Sequence, residues 1–286
     1  MGVSFASNVS ALSAQRSLNK TNISLGKTFE RLSSGLRINS ASDDPAGLAL
    51  ADSLRSDANL ASVAIRNAND GISITSIADS ALAEVGNILS RMAELAEQSA
   101  NGVFTNVQRS ALSSEFVALA SEIERIAVTT EFNDVGLLSD SSSIALQVGL
   151  DGTSNSRITI NGVLGTLESL GLAGTGSSAL TYSINDSTTA FAQSASLAAL
   201  DAVNAAISTL SSTRGTLGAA ESRLNSAVSS LQVARENFVA AESRVRDADV
   251  AQEVADLVRL QVLQQAGTAV LAQANQQPQI ALALLQ

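Results

Sequence analysis

Residues 200–245 read LDAVNAAISTLSSTRGTLGAAESRLNSAVSSLQVARENFVAAESRV. Within them Val203, Leu210, Leu217, Leu224, Leu231, Phe238 and Val245 stand seven apart, six intervals in succession. Two helical turns take about seven residues, so this spacing holds one apolar seam along one side of a helix. Leu200, Ile207 and Val228 supply a partner position, interrupted by Arg214, Glu221 and Arg235. About 50 helical residues at ~1.5 Å each span roughly 75 Å. A helix of that length cannot bury its seam alone and needs partners elsewhere in the chain.

The first half supplies them. Ile77, Ala81, Val85, Ile88, Met92 and Leu95 repeat at helical spacing, and so do Leu112, Phe116, Leu119, Ile123 and Ile126. Two more amphipathic helices follow from this, divided at SANGVFTN, where Asn101-Gly102 ends the first. The start of that first helix is written in SDDPAG: Asp44 suits the cap, Pro45 suits the first helical position, and acidic charge suits the N-terminal dipole. Three helices drawn from both halves can bury their seams together.

Between Ser139 and Thr189 the composition turns to Ser, Gly and Thr. Ile144, Leu146, Val148 and Leu150 alternate with other residues, as do Ile158 and Ile160, and Leu180, Tyr182 and Ile184. Asp151-Gly152 and Asn161-Gly162 are turn signals. The segment reads as a small β excursion, too short for a large additional domain. The fold class expected is therefore mainly α: a long-helix coiled-coil bundle with a small β-hairpin region.

Composition narrows the function. Of 286 residues 45% are hydrophobic but only 3% aromatic, which suits long helices with close seams. There is no Cys, His or Trp. Disulfides, a typical zinc site and Ser-His or Cys-His catalysis are excluded, and no motif gathers the carboxylates and serines that remain. No enzyme activity, catalytic residue, metal or cofactor is expected. A net charge of −10 argues against nucleic acid as a partner. MGVSFASNVSALSAQRS lacks the basic start and unbroken apolar core of a secretory signal.

Each end of the chain reads as an amphipathic arm. At the start Phe5, Val9 and Leu12, then Leu25, Phe29, Leu32 and Leu36, follow helical spacing, with Gly35 placed to end the helix. At the other end Val250, Val254 and Leu257 do the same, followed by Leu263, Val270, Leu271, Leu284 and Leu285. No charged side chain follows Arg259, whereas the first arm carries Arg16, Lys20, Lys27, Arg31 and Arg37. The glutamines and Asn275 of the tail are too costly in hydrocarbon for a transmembrane helix, so no membrane is expected. Two helices cannot cover every face of such arms. The tail is expected to find its dry surroundings between subunits of an assembly.

Four stretches carry a resemblance. LSSGLRINSASDDPAGLALADSLRS, from Leu32, resembles the N-terminal signature of bacterial flagellins. SRVRDADVAQEVADLVRLQVLQQAGTAVLAQANQQPQIALALLQ, from Ser243, resembles their C-terminal signature. ILSRMAELAEQSANG and EFNDVGLLS are similar to core segments of the same family. The likeness covers roughly residues 1–140 and 195–286, in order; residues 141–190 resemble only the short β region and carry no large outer domain. Pro45 departs from the more usual Ala, which is harmless in a first turn. Gln286 stands where a terminal Arg is frequent.

The resemblance implies a subunit that polymerises into the flagellar filament for swimming motility. It implies export, unfolded, through the flagellar type III apparatus with its chaperone, then assembly outside the cell beneath cap proteins and beyond hook-junction proteins. Residues 1–44 would be an inner-tube arm pairing with 246–286. Residues 45–138 and 193–245 would be the helical core, and 139–192 the Ser/Gly/Thr-rich β region. A vertebrate Toll-like receptor is implied as a partner through Arg91, Leu95 and Glu115. Each also has a plain structural reading, Leu95 as seam, Arg91 and Glu115 as ordinary helix charges. Two other functions compete with the filament subunit. One is a hook–filament junction protein with similar arms, against which the complete QQAGTAVLAQANQQPQ segment weighs. The other is a secreted membrane-active translocator, whose long hydrophobic span is missing.

Overall fold

The computed structural model describes residues 8–186 and 189–283. Most of them are helical. In chain order the elements are α1 (Val9–Ser34), α2 (Pro45–Ala100), α3 (Asn106–Thr129), β1 (Glu131–Phe132), β2 (Val135–Gly136), β3 (Ile144–Gln147), β4 (Arg157–Ile160), α4 (Thr189–Arg246) and α5 (Val250–Ala283). The strands form two antiparallel pairs, β1 with β2 and β3 with β4. The chain divides into two compact units, Met1–Ala58 with Glu236–Gln286, and Asn59–Arg235.

The helix ends are set by local chemistry. Gly35 takes a left-handed φ of 72° and donates its N–H to the Arg31 carbonyl, closing α1. Asp44 accepts from the Gly47 N–H at 3.0 Å, and Pro45 fills the first position of α2, where its missing N–H costs nothing. Thr105 and Gln108 form a reciprocal capping box at the start of α3.

The unit Asn59–Arg235 holds a main core and a smaller cluster of Ala68, Val148, Ile158 and Leu224. Leu82, Val85, Leu89, Met92 and Leu95 of α2 meet Phe116 and Ile123 of α3 and Val203, Leu210 and Leu217 of α4. The seam of α2 is centred differently from the spacing Ile77, Ala81, Val85, Ile88, Met92 and Leu95. Ile77 is exposed and Ala81 half-buried, while Ile74, Ala78, Leu82 and Leu89 are buried. The cause is that α2 serves two helices and the excursion, so it buries a stripe wider than one coiled-coil line. In α4 the second line is Ala192, Ala199 and Ala206, all fully buried, while Leu200 and Ile207 are half-buried. Small side chains let the neighbouring backbones come close. Arg214 makes a two-pronged bridge to Asp79 at 2.7 and 3.0 Å, tying α4 to α2 across the rim of the core. That guanidinium holds the Asp79 carboxyl below its ordinary value.

The excursion packs into the same core through Leu138, Ile160, Val163, Leu167, Leu172 and Ile184. β3 and β4 pair in the register Ile144 with Ile160 and Leu146 with Ile158. Leu146 seats against Gly71 of α2, where any Cβ would collide with its Cδ1. The run Leu180, Tyr182, Ile184 is not a third strand: Leu180 makes a lone bridge to Ala173, and Leu150 lies in the loop between β3 and β4. The Ile184 carbonyl instead accepts hydrogen bonds from two buried hydroxyls, Ser99 at 2.6 Å and Ser196 at 3.0 Å, and these two hydroxyls also meet each other.

Candidate functional site

The pair α1 and α5 belongs to the other unit and runs antiparallel. Asn8 donates to the Ala274 carbonyl at 2.7 Å, Gln264 donates to Asn22 at 2.9 Å, and Arg31 meets Glu253 at 3.2 Å. Between these ties the contact line of α1 is Ala11, Ala14, Leu18, Thr21, Leu25, Thr28 and Leu32, all wholly or partly covered. On α5 the facing line is Leu257, Leu260, Gln264, Gly267, Leu271 and Ala274. Both lines alternate intervals of three and four, the spacing of a helix–helix seam. The side chains are small or polar at most positions. Leu18 rests on Gly267, where a Cβ would stand 3.3 Å from its Cδ1.

The chain leaves α1 through a short bridge of Leu36 with Asp247, reinforced by Arg37 donating to the Val245 carbonyl at 2.7 Å. Ile38 is buried beside it. Asp43 organises the following turn. Its carboxyl is held below the ordinary value by the Ser40 hydroxyl first, then by the Ser40 N–H, Lys27 and the Asn39 N–H.

The seam leaves part of the apolar surface of these helices uncovered. Val9, Leu12 and Phe29 of α1 face solvent, Val9 at 64% exposure. On α5 Val250, Val254, Val258 and Val262 recur every fourth residue along one exposed ridge, with Leu263 and Val270 exposed beyond. Of the residues expected in the arms, Val9, Leu12, Phe29, Val250, Val254, Leu263 and Val270 are therefore outward. Leu25, Leu32, Leu36, Leu257 and Leu271 are half-buried. Phe5, Leu284 and Leu285 lie outside the described residues. The spacing Leu25, Phe29, Leu32, Leu36 joins two faces, since Phe29 points away from the other three. Sequence reasoning missed Leu18, Leu260 and Ala274 as seam residues; the signal was the unbroken alternation through Leu257, Leu260, Gln264, Gly267, Leu271 and Ala274.

A second candidate lies on α2 and α3. Arg91 bridges Glu115 at 2.9 Å and Glu94 at 2.9 Å, and these two carboxylates, Glu94 foremost, hold its proton more firmly than usual. The group is exposed, so the bridges stabilise little. The structure brings Arg91 and Glu115 together but not Leu95. That side chain is fully buried in the core, because the helical spacing that places it beside Arg91 in sequence turns it toward Phe116 and the α4 seam. The three do not form one exposed patch.

Among the described residues no cluster of His, Cys, Asp or Glu could hold a metal ion. No described helix is long and apolar enough to cross a membrane.

Comparison with known proteins meets the same two ends of the chain. The bacterial flagellin N-terminal helical region matches residues 5–143, and the bacterial flagellin C-terminal helical region matches residues 200–285. A flagellin of Halalkalibacterium halodurans is 41% identical over 97% of this chain and 98% of its own length. The flagellar filament 33 kDa core protein of Treponema phagedenis is 38% identical over 97% of this chain and 98% of its own. The solved structure of a putative flagellar hook-associated protein from Vibrio parahaemolyticus has a TM-score of 0.58 at 16% identity, covering 72% of this chain and 100% of that one. That last likeness is one of fold.

Proposed function

The chain belongs to the bacterial flagellin family, as a self-polymerising structural subunit of the flagellar filament of motility, and we propose that it assembles through the outward faces of α1 and α5. The observation that carries this is the exposed ridge Val250, Val254, Val258 and Val262. Four β-branched side chains in a row, facing water, are a surface that another apolar surface stabilises by roughly 25 cal/mol per Å² covered. The pairing of α1 with α5 leaves that ridge free for neighbouring subunits. Residues 1–44 with 246–286 then serve as the inner arms, 45–138 with 193–245 as the surrounding helical core, and 139–192 as an outward β region.

The absence of Cys suits a chain exported unfolded through the flagellar type III apparatus, handed there by its chaperone and added under the cap, beyond the hook-junction proteins, outside the cell. Val254→Asp with Val258→Asp tests the assembly reading. Seeded polymerisation, followed by electron microscopy, is expected to fail while the helical content of the monomer is kept. Normal filaments from this variant would refute it. A tag inserted at Asp151-Gly152 is expected to remain antibody-accessible on intact filaments; an inaccessible tag refutes the outward β region.

The Arg91–Glu115 face is also proposed to meet a host Toll-like receptor, with Leu95 supporting it from beneath and subunit packing hiding it in the filament. Arg91→Ala is expected to weaken binding of monomer to the receptor by about 1 kcal/mol or more. Unchanged binding, or equal signalling by stable filaments, rejects it.

A further inference from the structure

The turn from α2 to α3 carries chemistry that filament building does not use. Asn101 and Gly102 are exposed there, and a Cβ built at Gly102 would meet nothing within 4 Å. The Asn101 side chain folds forward, its Oδ1 accepting from the Val103 N–H at 3.2 Å. Its main-chain carbonyl accepts from Nη2 of Arg109 at 2.9 Å. Arg109 is fully buried, so this cation is fixed in place and weakly screened.

We propose that Asn101-Gly102 is a self-modification site, where the folded chain deamidates in preference to its other Asn-Gly pair, Asn161-Gly162. The Gly102 peptide nitrogen gives its proton to hydroxide and attacks Cγ of Asn101. A bond forms between that nitrogen and Cγ, the Cγ–Nδ2 bond breaks, and Nδ2 takes a proton from water and leaves as ammonia, which restores the hydroxide. The five-membered imide then takes up one water at either carbonyl and opens to aspartate or isoaspartate. One water is consumed and one ammonia released.

The surroundings favour both reacting groups. The deprotonated peptide spreads its charge onto the Asn101 carbonyl oxygen, where the Arg109 guanidinium already sits. The Val103 N–H polarises the side-chain carbonyl under attack and is placed to stabilise the oxyanion that forms. Gly102 offers no Cβ to block the approach, and open solvent lets the turn rearrange. The second pair has the same two residues and a different setting. A Cβ at Gly162 would collide with the carbonyl carbon and oxygen of Ser141, so the backbone there is pinned against a neighbouring strand of chain. Its peptide cannot swing toward the Asn161 side chain without displacing residue 141.

The test incubates the purified full-length chain, kept depolymerised, in mildly alkaline buffer, and reads by peptide mass mapping the one-unit mass gain at each asparagine. Asn101 is expected to convert about tenfold faster than Asn161, a difference of roughly 1.4 kcal/mol in barrier. In denaturant the two pairs, sharing one chemistry, are expected to react alike, and Asn101 no faster than when folded. Gly102→Ala, for which there is room, should remove the signal at Asn101 and leave that at Asn161. Equal conversion of the two pairs in the folded chain, slower conversion of Asn101 folded than unfolded, or indifference to Gly102→Ala would each overturn the assignment.

Discussion

The two compact units use the same helical periodicity and reach opposite ends. In Asn59–Arg235 the heptad leucines Leu210, Leu217, Leu224 and Leu231 leave solvent almost completely. In the other unit Phe29, Val258 and Val262 remain more than half exposed, while Ala14, Thr21 and Gly267 fill the seam. Geometry separates the two outcomes. Each amphipathic helix offers an apolar stripe of roughly 100°, and three helices can turn such stripes onto a shared axis. Two helices can close only the line between them. The α1–α5 line takes Leu18, Leu25, Leu32, Leu257, Leu260 and Leu271 with small and polar residues between them, and leaves the valine ridge of α5 uncovered. The first unit thus closes its apolar faces on itself, and the second leaves apolar side chains exposed, as the proposed assembly through α1 and α5 requires.

The largest effect that could break this contrast is a core truncation. Phe116→Ala is expected to lower monomer stability by about 3–5 kcal/mol in urea denaturation. Val258→Ala should change it by about 0.5 kcal/mol or less, yet slow polymerisation. Comparable losses from the two would erase the distinction. Next come two helical glycines. Gly71→Ala drives a methyl into Leu146 and is expected to cost about 1–3 kcal/mol. Gly26→Ala, with nothing within 4 Å, should instead stabilise α1 by about 0.5–1 kcal/mol, read as helical content on heating. A loss at Gly26 would mean that α1 is more crowded than the pair alone requires.

The smallest effect is electrostatic. Arg214 depresses the Asp79 carboxyl below 3.8, so the bridge contributes fully above that value and its contribution fades as pH falls through the lower folded value. Both partners are substantially exposed, which limits the contribution to about 0.2–1 kcal/mol. Wild type and Asp79→Asn should differ by that amount at neutral pH and converge in acid. A difference that persists at the lowest pH would assign the effect to packing.

How much of this was legible depended on residue size and on the number of neighbours. The heptad line of α4 was plain because Val203, Leu210, Leu217, Leu224 and Leu231 are large, regular and all buried. The alanine line Ala192, Ala199, Ala206 was not, since alanine also fills exposed positions of α4 such as Ala198 and Ala205. The spacing on α2 found Val85, Ile88, Met92 and Leu95 in the core but passed over Leu82 and Leu89, because a helix with several neighbours has no single seam. The hairpin of β1 and β2 escaped notice: Asn133 and Asp134 both take positive φ, the tight two-residue turn to which these side chains are suited, but two-residue strands leave no alternation to count. In the arms, spacing found the helices but could not say which face meets the partner. Apolar residues lie on both faces, Leu25, Leu32, Leu257 and Leu271 inward and Val9, Phe29, Val254 and Val270 outward, so hydrophobicity alone did not separate them.

The buried hydroxyls of Ser99 and Ser196 join the last turn of α2, the carbonyl of Ile184 and the first turns of α4 in a single knot. With Gly165 donating to the Leu138 carbonyl at the other side, the excursion is clasped at its base as well as packed along its length. Chain could be added at the tip, between Val148 and Ser156, at only the entropy of a longer loop, about 0.6 kcal/mol for each doubling. The helical body would carry such an addition as a post carries a sign, its own packing indifferent to what is written there.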